Sequence, residues 1–186
     1  LIQYNIGLYG TKTDNYACAA RAMPPSAFSP SGAIDTDQWL ASAKQLGATY
    51  ALLTTQAGCG FLLWPTEVKH TGGPLAGKLY NQTVRESGYA GGDLVKSFVQ
   101  SCAKFGIKPA FYYIAATNKY CSVDGGAVAA GGGLCGGQSD YEALVLAQLR
   151  ELWTHYGELA ELWFDGDTPD KKHFLGLLSK EIVELQ

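Results

Sequence analysis

Charge of one sign, long apolar runs and the common catalytic motifs are all scarce in this sequence. The net charge is only -3 over 186 residues, which gives no electrostatic case for binding nucleic acid or an anionic membrane surface. No apolar run approaches the roughly 20 residues that a membrane-spanning helix requires. The sequence has no HExxH, paired CxxC, EF-hand or GxSxG pattern. It therefore gives no signal for a metal site, a cofactor or a serine hydrolase.

Cysteine is also sparse, and the total of five excludes complete internal pairing. Cys121 and Cys135 flank a glycine-rich loop that a disulfide between them would close. Small core residues are the simplest interpretation of Cys59 and Cys102, and we prefer it for Cys102. Asn81-Gln82-Thr83 matches the N-glycosylation pattern. Together with the expected disulfide, this pattern favours a secreted, lysosomal or vacuolar location.

Short apolar segments alternate with helical patterns along the chain. Strands are predicted at 49–55, 107–114 and 160–165, and a further strand is predicted at Ile6–Tyr9. Continuous apolar runs are typical of strands that are buried on both faces of a parallel sheet. Helices are predicted from a capping residue followed by apolar side chains at helical spacing. Their predicted starts are Asp35 or Thr36, Asp93, Ser139 with Glu142 in a capping box, and Thr168 followed by Pro169.

The connections between these elements differ in length. Helix-to-strand connections are short, whereas the strand-to-helix connections 56–92 and 115–138 are long. In (β/α)8 barrels the strand-to-helix loops build the active face. A doubly wound sheet would share the alternation, but no glycine-rich phosphate fingerprint lies directly between a strand and a helix. The predicted fold class is therefore α/β of the (β/α)8 TIM-barrel type, with about the first four βα units in this chain.

Four βα units make an incomplete barrel, which would expose two strand edges and an apolar interior. Three arrangements are consistent with this: a fragment, a pair of copies, or an open sheet. The chain begins at Leu1 rather than Met and stops at Gln186 within a helical pattern. We favour the fragment, in which residues 1–186 are the N-terminal portion of one barrel, and we assign no oligomeric state.

Asp165 is the acidic residue that bears most directly on chemistry. It ends the run Leu162-Trp163-Phe164 and precedes Gly166, so we expect it at the C-terminal face of the barrel, where catalytic groups lie. The alternative is that it caps the next helix, although Asp167 and Thr168 are better placed for that role.

Aromatic residues near the other strand ends are candidates for contact with a sugar ring. Tyr112 and Tyr113 alternate across their strand, so one of them should point into the barrel mouth. Phe61 and Trp64 follow the strand at 49–55 and are candidates for an apolar platform. The alternative for each aromatic residue is packing in the core.

The three histidines give a weaker signal. His155 and His173 lie within helical patterns and are expected on the surface. His70 lies in the first long loop, within reach of the site, and we interpret it as a solvated loop histidine.

Several stretches in order resemble glycoside hydrolase family 29, the α-L-fucosidases. They are Asp35-Thr-Asp-Gln-Trp39, Tyr50-Ala-Leu-Leu-Thr54, Gly60-Phe61, Leu63-Trp-Pro-Thr66, Gly92-Asp-Leu-Val95, Lys104-Phe-Gly-Ile-Lys108, Tyr112-Tyr113, Tyr156-Gly-Glu158 and Glu161-Leu-Trp-Phe-Asp-Gly166. The resemblance implies a TIM barrel that removes terminal α-L-fucose from a glycan or fucoside with retention of configuration. It implies no metal and no other cofactor.

The resemblance also implies roles for individual residues. Asp165 falls on the aspartate of the family's Trp-Phe-Asp-Gly motif, which is the nucleophile that forms a glycosyl-enzyme. The family supplies its acid/base carboxyl group downstream of this point, so we expect this chain to lack it. Tyr113 is the tyrosine expected to line the sugar site, with Tyr112, Trp64 and Phe61 as further substrate contacts.

The sequence departs from the family where histidines hold the fucose hydroxyls. Ala57-Gly58-Cys59-Gly60-Phe61 stands in place of the family's His-His-Asp-Gly-Phe, and Thr11 is the nearest match to a histidine on the first strand. An unpartnered buried hydroxyl costs on the order of 1–3 kcal/mol. Two alternatives therefore stay open: a catalytically inactive relative that serves as a carbohydrate-binding or structural domain, and a glycosidase of altered sugar specificity.

Overall fold

The structure, a computed structural model, describes residues 1–10, 22–165 and 176–180. A sheet of three parallel strands lies at its centre in the spatial order β1-β2-β5. These strands are β1 (Tyr50–Gln56), β2 (Lys108–Ile114) and β5 (Glu161–Asp165). Between β2 and β5 the chain forms a small antiparallel hairpin of β3 (Val123–Asp124) and β4 (Ala127–Val128). The helices are α1 (Thr36–Gln45), α2 (Val84–Ser87), α3 (Leu94–Phe105) and α4 (Gln138–His155), with a further helical turn at 176–180.

The parallel α/β organisation predicted from the sequence is confirmed. Each predicted central strand lies within one residue of its observed bounds, and α3 and α4 provide the crossovers between neighbouring parallel strands. The predicted caps Asp35 and Asp93 accept hydrogen bonds from the backbone N–H groups of Gln38 and Lys96, at 3.1 and 2.8 Å. Gly106 ends α3 in the left-handed conformation, at a φ of 63°. Closure of the sheet into an eight-stranded barrel stays a prediction.

The predicted strand at Ile6–Tyr9 is wrong. This segment is a 3-10 helix because the side-chain oxygen of Asn5 caps it and accepts a hydrogen bond from the Gly7 N–H at 2.8 Å. The contact with the sheet is made earlier in the chain, by Ile2. Its N–H donates to the Leu52 carbonyl at 2.7 Å, and its carbonyl accepts from the Thr54 N–H at 3.0 Å.

The start of α4 also differs from the prediction. The helix begins at Gln138, one residue before the predicted Ser139, with Gly137 as its cap. The short side chain of Asp140 reaches back to accept a hydrogen bond from the Gly137 N–H at 2.9 Å. Glu142 accepts from the Gln138 side chain at 3.0 Å, and Asp140 rather than Glu142 makes the capping-box bond at Gly137. The helix start predicted at 168–169 lies outside the described residues.

The two faces of the sheet have different environments. One face packs against the helices, and it includes the fully buried side chains of Leu53, Phe111 and Tyr113. The opposite face carries a smaller apolar group formed by Leu52, Ala110 and Tyr112, with Ile114 beside it. Neighbouring residues of a strand point to opposite faces. Adjacent side chains such as Tyr112 and Tyr113 therefore lie on different faces of the sheet.

The predicted disulfide between Cys121 and Cys135 is present, with the two Cα atoms 5.1 Å apart. It closes the second strand-to-helix connection around the β3–β4 hairpin. A Cβ on Gly133 would lie 2.1 Å from the Cys121 carbonyl oxygen, so only glycine permits this close approach of the loop. Cys102 is a fully buried free thiol, as predicted, and burial raises its pKa to about 12. Cys59 also lies in the buried core, as interpreted, but it is disulfide-bonded rather than a free thiol.

The described residues contain no helix that is long and apolar enough to cross a bilayer. They also include no group of three or more histidine, cysteine or acidic side chains arranged to hold a metal ion.

Candidate active site

Asp165 and Tyr112 meet at the C-terminal ends of neighbouring parallel strands. Asp165 is the last residue of β5 and is exposed, and in the sheet register it lies opposite Ile114. Tyr112 lies on β2, two residues before Ile114 and opposite Trp163. Its ring stands edge-on to the Trp163 indole, with 5.7 Å between the ring centroids. The Tyr112 hydroxyl donates a hydrogen bond to Oδ2 of Asp165. This bond is made to Oδ2 and not to Oδ1, so it restrains the orientation of the carboxylate without occupying Oδ1.

Tyr113 lies on the opposite face of the sheet from Tyr112. It is fully buried, and its hydroxyl donates to Oε1 of Gln148 on α4 at 2.6 Å. Burial raises the pKa of Tyr113 well above the ordinary tyrosine value, so the phenol stays protonated as a donor. Of the two tyrosines, Tyr112 is the one whose hydroxyl contacts the strand-end carboxylate, and the prediction that one of them points into a barrel mouth stays a prediction. The sugar-lining role predicted for Tyr113 stays a prediction, and its phenol lies on the face away from Asp165.

Two polar residues at the end of β1 were missed by sequence reasoning. Thr54 lies opposite Tyr112 in the register, and its hydroxyl is buried without a hydrogen-bond partner in the described part of the chain. Gln56 accepts a hydrogen bond from the Ile114 N–H at 3.1 Å, while its buried Nε2 has no partner among the described residues. Such unpartnered groups are rare in protein interiors. The available sequence signal was the presence of threonine and glutamine in an otherwise apolar strand.

Trp64 and Phe61 both lie in the core. The indole N–H of Trp64 donates to Glu151 of α4 at 2.9 Å, and the Thr66 hydroxyl donates to the same oxygen. The Glu67 N–H donates to the other Glu151 oxygen at 2.8 Å. Trp64 is 2% exposed and Phe61 is 1% exposed, so neither presents a ring face to solvent. The substrate contacts predicted for these two residues stay predictions.

His70 is buried, which corrects its interpretation as a solvated loop histidine. It is 2% exposed because the chain folds back over it, and its backbone N–H donates to the Lys78 carbonyl at 2.9 Å. Its ring stacks on Tyr80 at 5.4 Å, and neither ring nitrogen has a hydrogen-bond partner in the described structure. Desolvation lowers the pKa of His70. His155 is exposed, as predicted, and His173 lies outside the described residues.

The two long strand-to-helix connections are joined beside the strand ends. The Tyr80 hydroxyl donates to the Gly60 carbonyl at 2.5 Å and accepts from the Asn118 side chain at 3.3 Å. A Cβ on Gly60 would lie 2.2 Å from the Asn118 side-chain oxygen. The absence of a side chain at Gly60 therefore lets the second connection pack directly on the first.

Comparison with known proteins gives one consistent result. A family model described as alpha-L-fucosidase matches residues 3–184. The chain belongs to the alpha-L-fucosidase family. Alpha-L-fucosidase 1 of Arabidopsis thaliana is 28% identical over 149 residues, which are 78% of this chain and 24% of the relative. The chain thus spans about a quarter of the length of this curated relative.

Two solved structures show the same relationship for this member of the alpha-L-fucosidase family. A glycoside hydrolase 29 family member from an unknown rumen bacterium has a TM-score of 0.69 and 27% identity, covering 99% of this chain and 31% of that one. An alpha-L-fucosidase from Lactobacillus casei in complex with its alpha-L-fucose product has a TM-score of 0.62 and 22% identity, covering 82% and 49% of the two chains. The second likeness concerns the fold alone.

The structure also shows where this family member departs from the expected histidines. Ala57 and Cys59 are 2% and 1% exposed, and the Gly58 carbonyl accepts a hydrogen bond from the Lys119 N–H at 2.8 Å. The segment is thus held by packing, by a disulfide at Cys59 and by the second connection. Thr11 lies outside the described residues.

Proposed function

We propose that the full-length protein is a retaining exo-glycosidase that hydrolyses terminal α-L-fucose from glycans, with Asp165 as the nucleophile. In this proposal the chain forms the N-terminal portion of a (β/α)8 catalytic barrel. Family membership supports the reaction class, and the fucose product bound to the Lactobacillus casei relative supports the sugar. The observation that carries the residue assignment is the hydrogen bond from Tyr112 to Asp165 at the C-terminal strand ends.

The arrangement suits a carboxylate nucleophile. Asp165 attacks the anomeric carbon, and the leaving-group oxygen departs with the electron pair of the glycosidic bond while a second carboxyl group protonates it. Water activated by that second group then releases the sugar from the glycosyl-enzyme. Tyr112 holds one oxygen of Asp165, which limits rotation of the carboxylate and favours attack by Oδ1. We assign the acid/base to a part of the full-length protein outside the described residues.

The end of β1 supports a second candidate, a glycosidase of altered sugar specificity. Ala57, Gly58 and Cys59 offer no imidazole to a sugar hydroxyl. Thr54 and Gln56 instead place at the end of β1 polar atoms that have no hydrogen-bond partner among the described residues. The same departure supports a relative that binds carbohydrate, or serves a structural role, without turnover.

The decisive experiment is hydrolysis of an aryl α-L-fucoside by the full-length protein and by its Asp165→Gly variant. We expect the variant to lose turnover and to regain it with azide, which would fill the space of the carboxylate and give a fucosyl azide of inverted configuration. Glu161→Gln is the matched control, because Glu161 is an exposed acid on the same strand but at its opposite end, and it should keep activity. Undiminished hydrolysis by Asp165→Gly would refute the nucleophile assignment.

A wild-type protein that does not hydrolyse the fucoside would favour the second candidate or a binding protein. A panel of other aryl glycosides would then detect turnover of a different sugar. Binding to a glycan array without turnover on any panel member would identify a carbohydrate-binding relative.

A further inference from the structure

The sequon Asn81-Gln82-Thr83 lies in the first strand-to-helix connection, directly before α2. Asn81 is exposed, whereas Gln82 and Thr83 are 3% and 0% exposed. The backbone on both sides of Thr83 is paired with Leu62, which donates to the Gln82 carbonyl at 2.9 Å and accepts from the Val84 N–H at 3.0 Å. The fold therefore presents the acceptor asparagine to solvent at the edge of an ordered segment.

Among the described residues, the hydrogen bond to the Asn81 side chain is made to its oxygen and not to its nitrogen. The Tyr120 hydroxyl donates to Oδ1 of Asn81 at 2.6 Å. Nδ2, the atom to which an N-linked glycan is attached, takes no part in this bond. Tyr120 therefore orients the Asn81 amide through its oxygen and does not contact the nitrogen that the glycan would use.

The cysteines give an independent indication of the compartment. Tyr120 is followed by Cys121, which is bonded to Cys135, and Cys59 is disulfide-bonded as well. Disulfides form and persist in oxidising compartments such as the lumen of the endoplasmic reticulum. N-glycosyl transfer to Asn-x-Thr takes place in the same compartment, on proteins that follow the secretory route.

We propose that Asn81 carries an N-linked glycan and that the protein follows the secretory route. The donor is an oligosaccharide linked to a polyprenyl diphosphate. A bond forms between Nδ2 of Asn81 and the anomeric carbon of the first sugar, and the anomeric C–O bond to the diphosphate breaks. The diphosphate leaves with that electron pair, and Nδ2 loses one proton to a base of the transferase.

The buried threonine sets the order of events. In the folded chain the Thr83 hydroxyl donates to Glu86 at 2.6 Å and accepts from the Arg85 N–H at 3.0 Å, as the cap of α2. A transferase that reads this hydroxyl has no access to it once α2 is in place. Transfer therefore precedes folding of the connection, and the exposed Asn81 then accommodates the glycan without displacing core residues.

The test uses the full-length protein secreted from a eukaryotic host. Trypsin cuts after Lys78 and Arg85 and releases residues 79–85, which contain the one sequon of this chain. Peptide-N-glycosidase treatment in heavy-oxygen water should convert Asn81 to a labelled aspartate, which mass spectrometry detects. The peptide that contains Asn118, an asparagine outside any sequon, should stay unlabelled.

Two variants separate glycosylation from structural effects. Asn81→Asp keeps an oxygen acceptor for Tyr120 and should lose the glycan while the protein still folds. Thr83→Ser keeps the hydroxyl that the transferase reads and should retain the modification. Recovery of the 79–85 peptide with an unmodified asparagine from the secreted wild-type protein would overturn the proposal.

Discussion

The hydroxyl of Tyr112 donates a hydrogen bond to Asp165 across two neighbouring parallel strands. The two residues are 53 positions apart in the sequence, and the register of β2 against β5 brings them together. Tyr112 pairs with Trp163, two positions before Asp165, and its phenol is long enough to reach the carboxylate at the strand end. Among the described residues, Tyr112 is thus the one that hydrogen-bonds the proposed nucleophile.

Replacing Tyr112 by phenylalanine should slow the reaction more than it weakens substrate binding. A hydrogen bond to a charged group contributes about 1.5–3 kcal/mol, so we expect kcat on an aryl α-L-fucoside to fall roughly 10- to 100-fold. Tyr50→Phe is the matched control, because Tyr50 is exposed at the start of β1, at the opposite end of the sheet from Asp165. It should leave kcat unchanged. Equal effects of the two substitutions on kcat would contradict the assignment.

Glu151→Gln should destabilise the protein by loosening the first strand-to-helix connection from α4. The carboxylate accepts three hydrogen bonds, from Trp64, Thr66 and the Glu67 backbone, and an amide cannot accept all three. Each buried donor left unpaired costs about 1–3 kcal/mol. Denaturant unfolding should therefore show a lower free energy of unfolding. The exposed Glu158 provides the control, since Glu158→Gln should leave the unfolding midpoint unchanged.

Removal of the Cys121–Cys135 disulfide should also lower stability. The bond spans 14 positions of the sequence, and closing a loop of this length contributes about 3 kcal/mol through the unfolded chain. We expect the double substitution Cys121→Ser with Cys135→Ser to lower the melting temperature. We also expect added reductant to affect the wild type but to cause a smaller change in the variant. An unchanged melting temperature would mean that the loop contributes no constraint to the unfolded state.

His70 should make stability depend on pH. Its folded-state pKa lies below the ordinary value of 6.5 because burial penalises the charged ring. Between the folded value and about 6.5, the unfolded chain binds more protons than the folded one, so stability falls as the pH is lowered through this window. His70→Phe keeps the stacking on Tyr80 and should reduce the slope of unfolding free energy against pH. His70→Gln should reduce it as well, at lower stability, and an unchanged slope in both variants would exclude His70 as the cause.

Local sequence signals were sufficient for the three central strands and for the starts of α1 and α3, but they did not predict α2, β3 or β4. The short, mostly apolar run at 49–55 predicts β1, because a continuous run of this length is typical of a buried strand. Asp35 and Asp93 predict helix starts because their short side chains satisfy backbone N–H groups within the next turn. The errors in the segment Ile6–Tyr9 and at the start of α4 arose where a side chain forms a different local hydrogen bond. These side chains are Asn5, which bonds the Gly7 N–H, and Asp140, which bonds the Gly137 N–H. Neither competing bond is visible without the positions of the neighbouring backbone atoms.

The sequence by itself determined the parallel α/β organisation, the Cys121–Cys135 pair and the position of Asp165 at the end of a strand, because each depends on local pattern or spacing. Only the tertiary structure decided that Tyr112 rather than Tyr113 contacts Asp165, since strand alternation separates the two tyrosines without saying which face the helices cover. Burial of Trp64 and His70 was likewise a tertiary outcome. Contacts with distant segments cover these side chains, and loop composition alone favours exposure.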